Sequence, residues 1–263
     1  MEKVVKVKFE GNLKETILKA LEPFGGIQSF VKKGDVVLIK PNFNTPDPFP
    51  ASTDPEFLKN VVEIVYSAQA KLVMIGESST MSLNTKKVME KLGIFKLLDL
   101  DPPPRIYVFE EWEWVKKEIP NGKYLKSVSV TEILDRADKI ILLPCLKTHK
   151  YAQYTGALKL AVGFMKPTER IKLHLFNLQE KIAELNTIYK PDLILMDARK
   201  CFISGGPASG KEEKPNLILA SKSRIEIDIE GVKIIQSFPK NSLSKISPEN
   251  LIQIKRAREL GIE

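Results

Sequence analysis

Short apolar runs and amphipathic stretches take turns along the chain. That alternation predicts an α/β fold with a mostly parallel sheet flanked by helices. VVKVKF at 4–9 alternates as a strand does, and LKETILKALEPFGG reads as a helix closed by Gly25. VVLIKPN (36–42), KLVMIGES (71–78), KIILLPC (139–145), DLILMDA (192–198) and NLILAS (216–221) are apolar and rich in branched residues, as strands buried on both faces are. The helices predicted between them include one capped by Asp54, with Pro55 in its first turn, that runs to about Ala68. Others fall around 86–92, around Lys159, from about 172 to 189, and in a charged stretch at 248–260, while 225–238 completes the fold.

The interval 99–129 breaks this rhythm. Its Pro102-Pro103-Pro104 run cannot donate to a sheet ladder, and Trp112 and Trp114 stand at alternate positions, so both would face one side of an edge hairpin. The expectation is an inserted β-rich excursion, a hairpin or flap outside the central sheet that serves as a lid or an oligomer contact. The whole of 1–263 is then one α/β domain or two closely joined lobes.

Composition narrows the function. The net charge of +8 invites a nucleic-acid partner, but lysines alternate with glutamates, as in LNTKKVMEKLG and IKRARELGIE, which is how solvated helix faces look. A basic nucleic-acid-binding module is therefore disfavoured against a pocket for a small anionic ligand. The abundance of Lys, Glu and Ile is thermophile-like. No apolar stretch is long enough to span a bilayer and no signal-peptide core opens the chain, so a cytoplasmic protein without a membrane partner is expected. Cys145 and Cys201 form no CxxC pattern and read as small core residues.

Candidate chemistry concentrates in LPCLKTHKYAQYTGALKLAVGFMKPTERIKLHLF. Lys159 is the one charged residue in 151–165, and the chain's two histidines, His149 and His174, stand on either side of it. Burial lowers a lysine's pKa and can turn an inert ammonium into a nucleophile or a covalent anchor. In a parallel sheet, ligands bind beyond the carboxyl ends of the strands. Four predicted strands end in polar loops: Lys40-Pro41-Asn42, Gly76 through Thr80, Lys147-Thr148-His149, and Ser204-Gly205-Gly206 through Gly210. If those strands run the same way, Lys40, Asn42, Lys147, Ser204, Gly205 and Gly206 line one cofactor- or ligand-binding rim around His149 and Lys159. SGGPASGK matches neither GxxxxGK[ST] nor GxGxxG, and its proline removes an N–H that a phosphate loop needs. GxSxG and HExxH are absent.

VLIKPN, GES, ADKIILLPCLKTHKYAQYTGALK, DLILMDA, GGPASG and LILAS, in that order, resemble the domain-of-unknown-function family three hundred sixty-two (DUF362) over nearly the whole chain. Some members of that family carry an appended ferredoxin domain and are described as iron–sulfur centre proteins; this chain lacks the cysteines for one. The central segment is more distantly similar to the nickel-pincer lactate racemase family. That resemblance implies a metal- or organometallic-cofactor enzyme, with Lys159 the covalent tether of a nickel-type or other metal cofactor, His149 the acid or base, and His174 the metal ligand. The chain departs from the pattern in two ways: Gly156-Ala157-Leu158 stands where the racemase family has Gly-Gly-Arg, and no second proton-transfer histidine precedes His149. The leading reading is an enzyme that binds a small anionic ligand at a Lys/His cleft. The rivals are a redox or metallocluster accessory protein working with a redox partner protein, and a nucleic-acid module.

Overall fold

Most of the apolar runs become strands of a single sheet. The computed structural model describes residues 3–263. The strands in chain order are β1 (Val4–Lys8), β2 (Val36–Lys40), β3 (Leu72–Glu77), β4 (Arg105–Val108), β5 (Trp114–Glu118), β6 (Ser127–Thr131), β7 (Lys139–Leu142), β8 (Cys145–His149), β9 (Gln153–Thr155), β10 (Leu193–Gly205), β11 (Gly210–Glu213) and β12 (Leu217–Ser221). The α-helices are α1 (Leu13–Leu21), α2 (Pro55–Ser67), α3 (Thr85–Lys91), α4 (Ala157–Leu160), α5 (Arg170–Leu175), α6 (Leu178–Leu185), α7 (Arg224–Gln236) and α8 (Ile252–Glu259).

The sheet runs β1-β12-β10-β7-β2-β3-β4. From β10 to β4 every neighbouring pair is parallel, whereas β12 and β1 add antiparallel strands at the other edge. Period-two alternation assigns each strand's side chains to two cores: Val37 and Ile39 of β2 face the layer of α1 and α2, and Leu38 faces the layer of α4, α6 and α7. The sheet is thus covered on both faces, which explains why its strands read as continuous apolar runs. Asp54 caps α2 by accepting from Glu56 N–H, and Gly25 turns the chain after α1 at a φ of 91°.

Four local readings need correction. KIILLPC is not one strand: Pro144, which has no N–H, ends β7, and the chain resumes as β8. Lys147-Thr148-His149 is therefore the end of a buried strand rather than a loop, paired with β10 and β9. The helix expected over 172–189 is two helices, α5 and α6, separated where Asn177 takes a left-handed φ of 53°. Within 99–129, β4 joins the main sheet as its edge strand immediately after the prolines; only the β5–β6 pair forms a separate antiparallel hairpin. Trp112 lies just ahead of that hairpin, its ring 5.1 Å from Tyr107 and 4.7 Å from the Arg136 guanidinium. Among the described residues, no helix is long and apolar enough to cross a membrane.

Candidate functional site

The ends of β2, β3, β8 and β10 share one rim because these strands run in one direction. Lys40 closes β2 on the face that Leu38 occupies, and its ammonium is wholly buried. It pairs with Glu77, the last residue of β3, at 2.6 Å, donates to Pro41 C=O at 2.8 Å and sits 5.5 Å from the Phe164 ring. Burial pulls the Lys40 pKa down while Glu77 pushes it back up. Glu77 is satisfied on both oxygens, accepting also from the Phe43 and Ser78 N–H groups at 2.9 and 2.8 Å. Gly163 lies across this pair: a Cβ there would stand 2.3 Å from Glu77 Oε1 and 2.5 Å from Lys40 Nζ, so only glycine admits the ion pair.

Around that pair lies a small inner chamber of about 40 Å³, lined by Lys40, Asn42, Glu77, Lys147, Lys159 and Arg170 among others. Lys147 is buried on β8 and donates to Ala51 C=O. Burial lowers its pKa, against the longer-range pull of Asp47 and Glu77. Arg170, the first residue of α5, spends its guanidinium on Ser78 C=O, Ser79 C=O, Ser78 Oγ and Met165 C=O at 2.6–3.2 Å. This fork ties α5 to the β3 loop. Among the described residues Lys147, Lys159 and Arg170 make no ion pair with a carboxylate, since Glu77 is engaged with Lys40. The rim therefore holds more buried positive charge than negative.

A second, outer chamber of about 370 Å³ shares Asn44, Lys159, Val162 and Arg170 with the inner one and is lined also by Thr80, Met81, His149, Ile171, His174 and Leu175. Lys159 faces both chambers. It is largely shielded, keeps some solvent contact and has no hydrogen-bond partner among the described residues. Burial, with Lys147 and Arg170 repelling its charge, brings its pKa down to about 7. His149 Nδ1 accepts the N–H groups of Tyr151 and Ala152, both at 3.1 Å. The neutral ring then carries its proton on Nε2. Burial first, then Lys159, Lys147 and His174, drive the His149 pKa down to about 2, so it stays neutral. His174 is the opposite tautomer when neutral: its Nδ1 lies 2.8 Å from Arg170 C=O, which can only accept, so Nε2 keeps the lone pair.

Lys159 is held in place from the far side of its helix. Asp228 of α7 accepts the Ala157 and Leu158 N–H groups at 2.6 and 3.0 Å, satisfying the first turn of α4. It can do so because residue 156 is glycine; a Cβ there would stand 2.1 Å from Asp228 Oδ1. Burial raises the Asp228 pKa to about 7 despite those two N–H donors.

The residues expected from the sequence divide into two groups. Lys40, Asn42, Lys147, His149, Lys159 and His174 come together across the two chambers. Ser204, Gly205 and Gly206 line neither; they turn the β10–β11 hairpin, and their loop reaches the inner chamber through Pro207 instead. Glu77, Arg170, Gly163 and Asp228 complete the arrangement. Of these Arg170 lies just ahead of the helix expected from about 172, and only the start of α5 at Arg170 puts it on one helical face with His174, four positions on.

The donor set does not fit a protein-held metal. His149 already uses Nδ1 and bears hydrogen on Nε2, Glu77 belongs to Lys40, and Lys159 and Arg170 repel a cation from the one free imidazole lone pair, that of His174. Among the described residues no group of three or more His, Cys, Asp or Glu side chains is placed to hold a metal ion. Cys145 and Cys201 are buried, their thiols pushed up to about 11 and about 12, which leaves no thiolate to bind a cluster.

The chain is similar to known proteins along most of its length. It is 28% identical over 260 residues to the Thylakoid-associated protein sll1697 of Synechocystis sp., an alignment that covers 95% of this chain and 78% of that one. Its fold is distantly similar to the lactate racemase apoprotein from Thermoanaerobacterium thermosaccharolyticum, with a TM-score of 0.46 and 10% identity over 88% of this chain. The chain spans 62% of that protein's length. The profile of a domain of unknown function, DUF362, matches residues 37–233, three quarters of the sequence, and the chain belongs to that family.

Proposed function

We propose that the chain is an enzyme that binds a small anionic ligand in the two-chambered Lys/His cleft. The observation that carries this reading is the charge imbalance: Lys147, Lys159 and Arg170 converge on a cavity lined by one carboxylate, Glu77, which is already paired with Lys40, while Glu110 reaches only Arg170, through Ser78 Oγ. Buried charges are normally paired, and an uncompensated cluster costs stability until an anion enters. The inner chamber, about 40 Å³, takes a single small group such as a carboxylate or part of a phosphate.

The roles follow from the hydrogen bonding. Lys147 and Lys159 neutralise the anion, and Arg170, committed to carbonyls, keeps the cleft in shape. His149 donates from Nε2–H to a ligand oxygen, since its Nδ1 already accepts two backbone N–H groups and burial keeps the ring neutral. His174, with Nε2 free, is the proton acceptor. This replaces the metal-ligand role inferred from resemblance with one that its surroundings support. A cytoplasmic location stays part of the proposal. Surface lysines pair locally, as in Lys3–Glu226, Lys6–Glu230 and Lys14–Glu63, which favours a small anion in the cleft over a nucleic acid on the surface.

Calorimetric titration of inorganic phosphate and of acetate at pH 6 tests the proposal. At least one should bind the natural chain and lose most of its affinity in Lys159→Met. Failure of both to bind, or equal affinity in the variant, overturns it.

A further inference from the structure

The outer chamber has a second character besides charge. Met81, Ile171 and Leu175 line it, the Tyr151 ring stands 6.2 Å from that of His149, and Phe176 follows Leu175 in the chain. All five side chains are more than half exposed. They come from three separate places: the loop after β3, the turn after β8, and α5 with its C-terminal neighbour. Isolated exposed apolar residues need no explanation, but large ones gathered from distinct elements around one opening mark a site of contact. Here the apolar ring adjoins the same chamber as the cations. A ligand in this chamber with its anionic end at Lys159 shares it with Met81, Ile171 and Leu175.

We infer that the ligand is an amphiphilic anion, a carboxylate or phosphate head carrying an apolar tail, with the tail lying against Met81, Ile171 and Leu175. The inference rests on the anion-binding reading of the cleft and adds the substrate class. The volumes agree with this division: the inner chamber of about 40 Å³ holds only a head group, whereas the outer one of about 370 Å³ is far larger than a small anion needs. Val162, on the turn that follows α4, lines both chambers and continues the apolar wall inward. Two sources share this chemistry, a free amphiphilic metabolite and a lipid drawn from a membrane surface.

The test is a homologous series at pH 6: inorganic phosphate, then ethyl, butyl, hexyl and octyl phosphate, each below its micelle concentration, titrated into the full chain. Affinity should rise about three-fold per added methylene and level off once the chamber is filled. In Ile171→Ser/Leu175→Ser the slope of log affinity against chain length should fall by at least half. A slope does not depend on the fraction of protein that is folded, so a partial folding defect cannot imitate this result. If phosphate binds in a Lys159-dependent way but chain length has no effect, or if the slope survives in the double variant, the amphiphile is overturned and the anion site stands. If no member of the series binds, the amphiphile is overturned, and if acetate also fails to bind, the anion site falls with it. Sedimentation with phosphatidylcholine vesicles containing phosphatidate then separates the sources: retention that octyl phosphate competes away assigns the head group to a membrane lipid, and absence of retention assigns it to a free metabolite.

Discussion

Lys159→Met should make the unliganded protein more stable, and only where the lysine is charged. In the folded chain this ammonium titrates near 7, against 10.5 for the ordinary group, because burial and the charges of Lys147 and Arg170 oppose it. At about 1.4 kcal/mol per pH unit, holding it charged costs the fold at most ~5 kcal/mol. Its remaining solvent contact at the chamber mouth screens part of this, leaving ~2–3 kcal/mol. The sign follows from proton counting. Between pH 7 and 10.5 the unfolded chain binds the proton that the folded chain has released, so natural stability rises with pH across that window. Below pH 7 both forms are charged and the full penalty applies. Methionine keeps the length of the side chain and carries no charge. Urea unfolding at pH 6 should therefore place the variant ~2–3 kcal/mol above the natural chain, with the gap closing by pH 10. Contributions of other lysines cancel in the difference between the two proteins. Saturating phosphate at pH 6 should also close the gap, because it stabilises only the chain that binds it. An equal difference at pH 6 and pH 10, or a destabilised variant at both, would refute the account of Lys159 as an uncompensated cation.

Anion affinity for the natural protein should fall about ten-fold between pH 6 and pH 8 as Lys159 loses its proton around 7, measured by calorimetry in buffers of matched ionic strength; a flat profile removes Lys159 from the site. Gly163→Ala should lose ~3 kcal/mol or fail to fold, because the new methyl overlaps the Lys40–Glu77 pair, and a urea midpoint within ~0.5 kcal/mol of the parent contradicts this. Asp228→Asn should remove a fall in stability between about pH 4 and pH 7, since a carboxyl raised to about 7 binds its proton more tightly folded than unfolded; the check is the difference in unfolding free energy between the two proteins across that range. Arg170→Lys should cost ~2–3 kcal/mol by leaving carbonyls of Ser78, Ser79 and Met165 without their shared fork, and thermal unfolding at parental temperature would count against it.

The parts of this arrangement that could be read from the sequence are those that local pattern determines. A strand buried on both faces leaves a continuous apolar run, and a polar residue at its end, as with Lys40 after Val36–Ile39, marks where the rim begins. Lys159 stood out because its neighbours offer nothing to solvate it. What stayed hidden depends on distance along the chain. Asp228 caps α4 from 70 and 71 positions away. Gly163, on the turn after α4, is required only because the Lys40–Glu77 pair, formed by the ends of two strands far from it in the chain, packs directly against it. The glycine-rich loop is likewise fixed by a partner strand: it forms the β10–β11 turn, where Gly205 pairs with Gly210, and it reaches the inner chamber through Pro207.

Pro144 explains why the cleft is cationic at all. A parallel sheet delivers one residue per strand to its rim, and β2 and β3 deliver Lys40 and Glu77, which cancel. Because Pro144 cannot extend the ladder of β7, the chain steps over and continues as β8, and β10, with thirteen residues, is long enough to pair first with β7 and then with β8. The extra strand projects past the rim, and its period-two alternation places Lys147 and His149 on the same side. The turn through β9 then returns the chain so that α4 sets Lys159 against them. Two lysines thus reach the rim beyond the pair that balances itself, and neither is given a carboxylate. Nothing in the folding of the sheet demands that excess, and it opposes stability at neutral pH. On the function proposed above, a negatively charged ligand at Lys147 and Lys159 would complete the charge balance the chain leaves open.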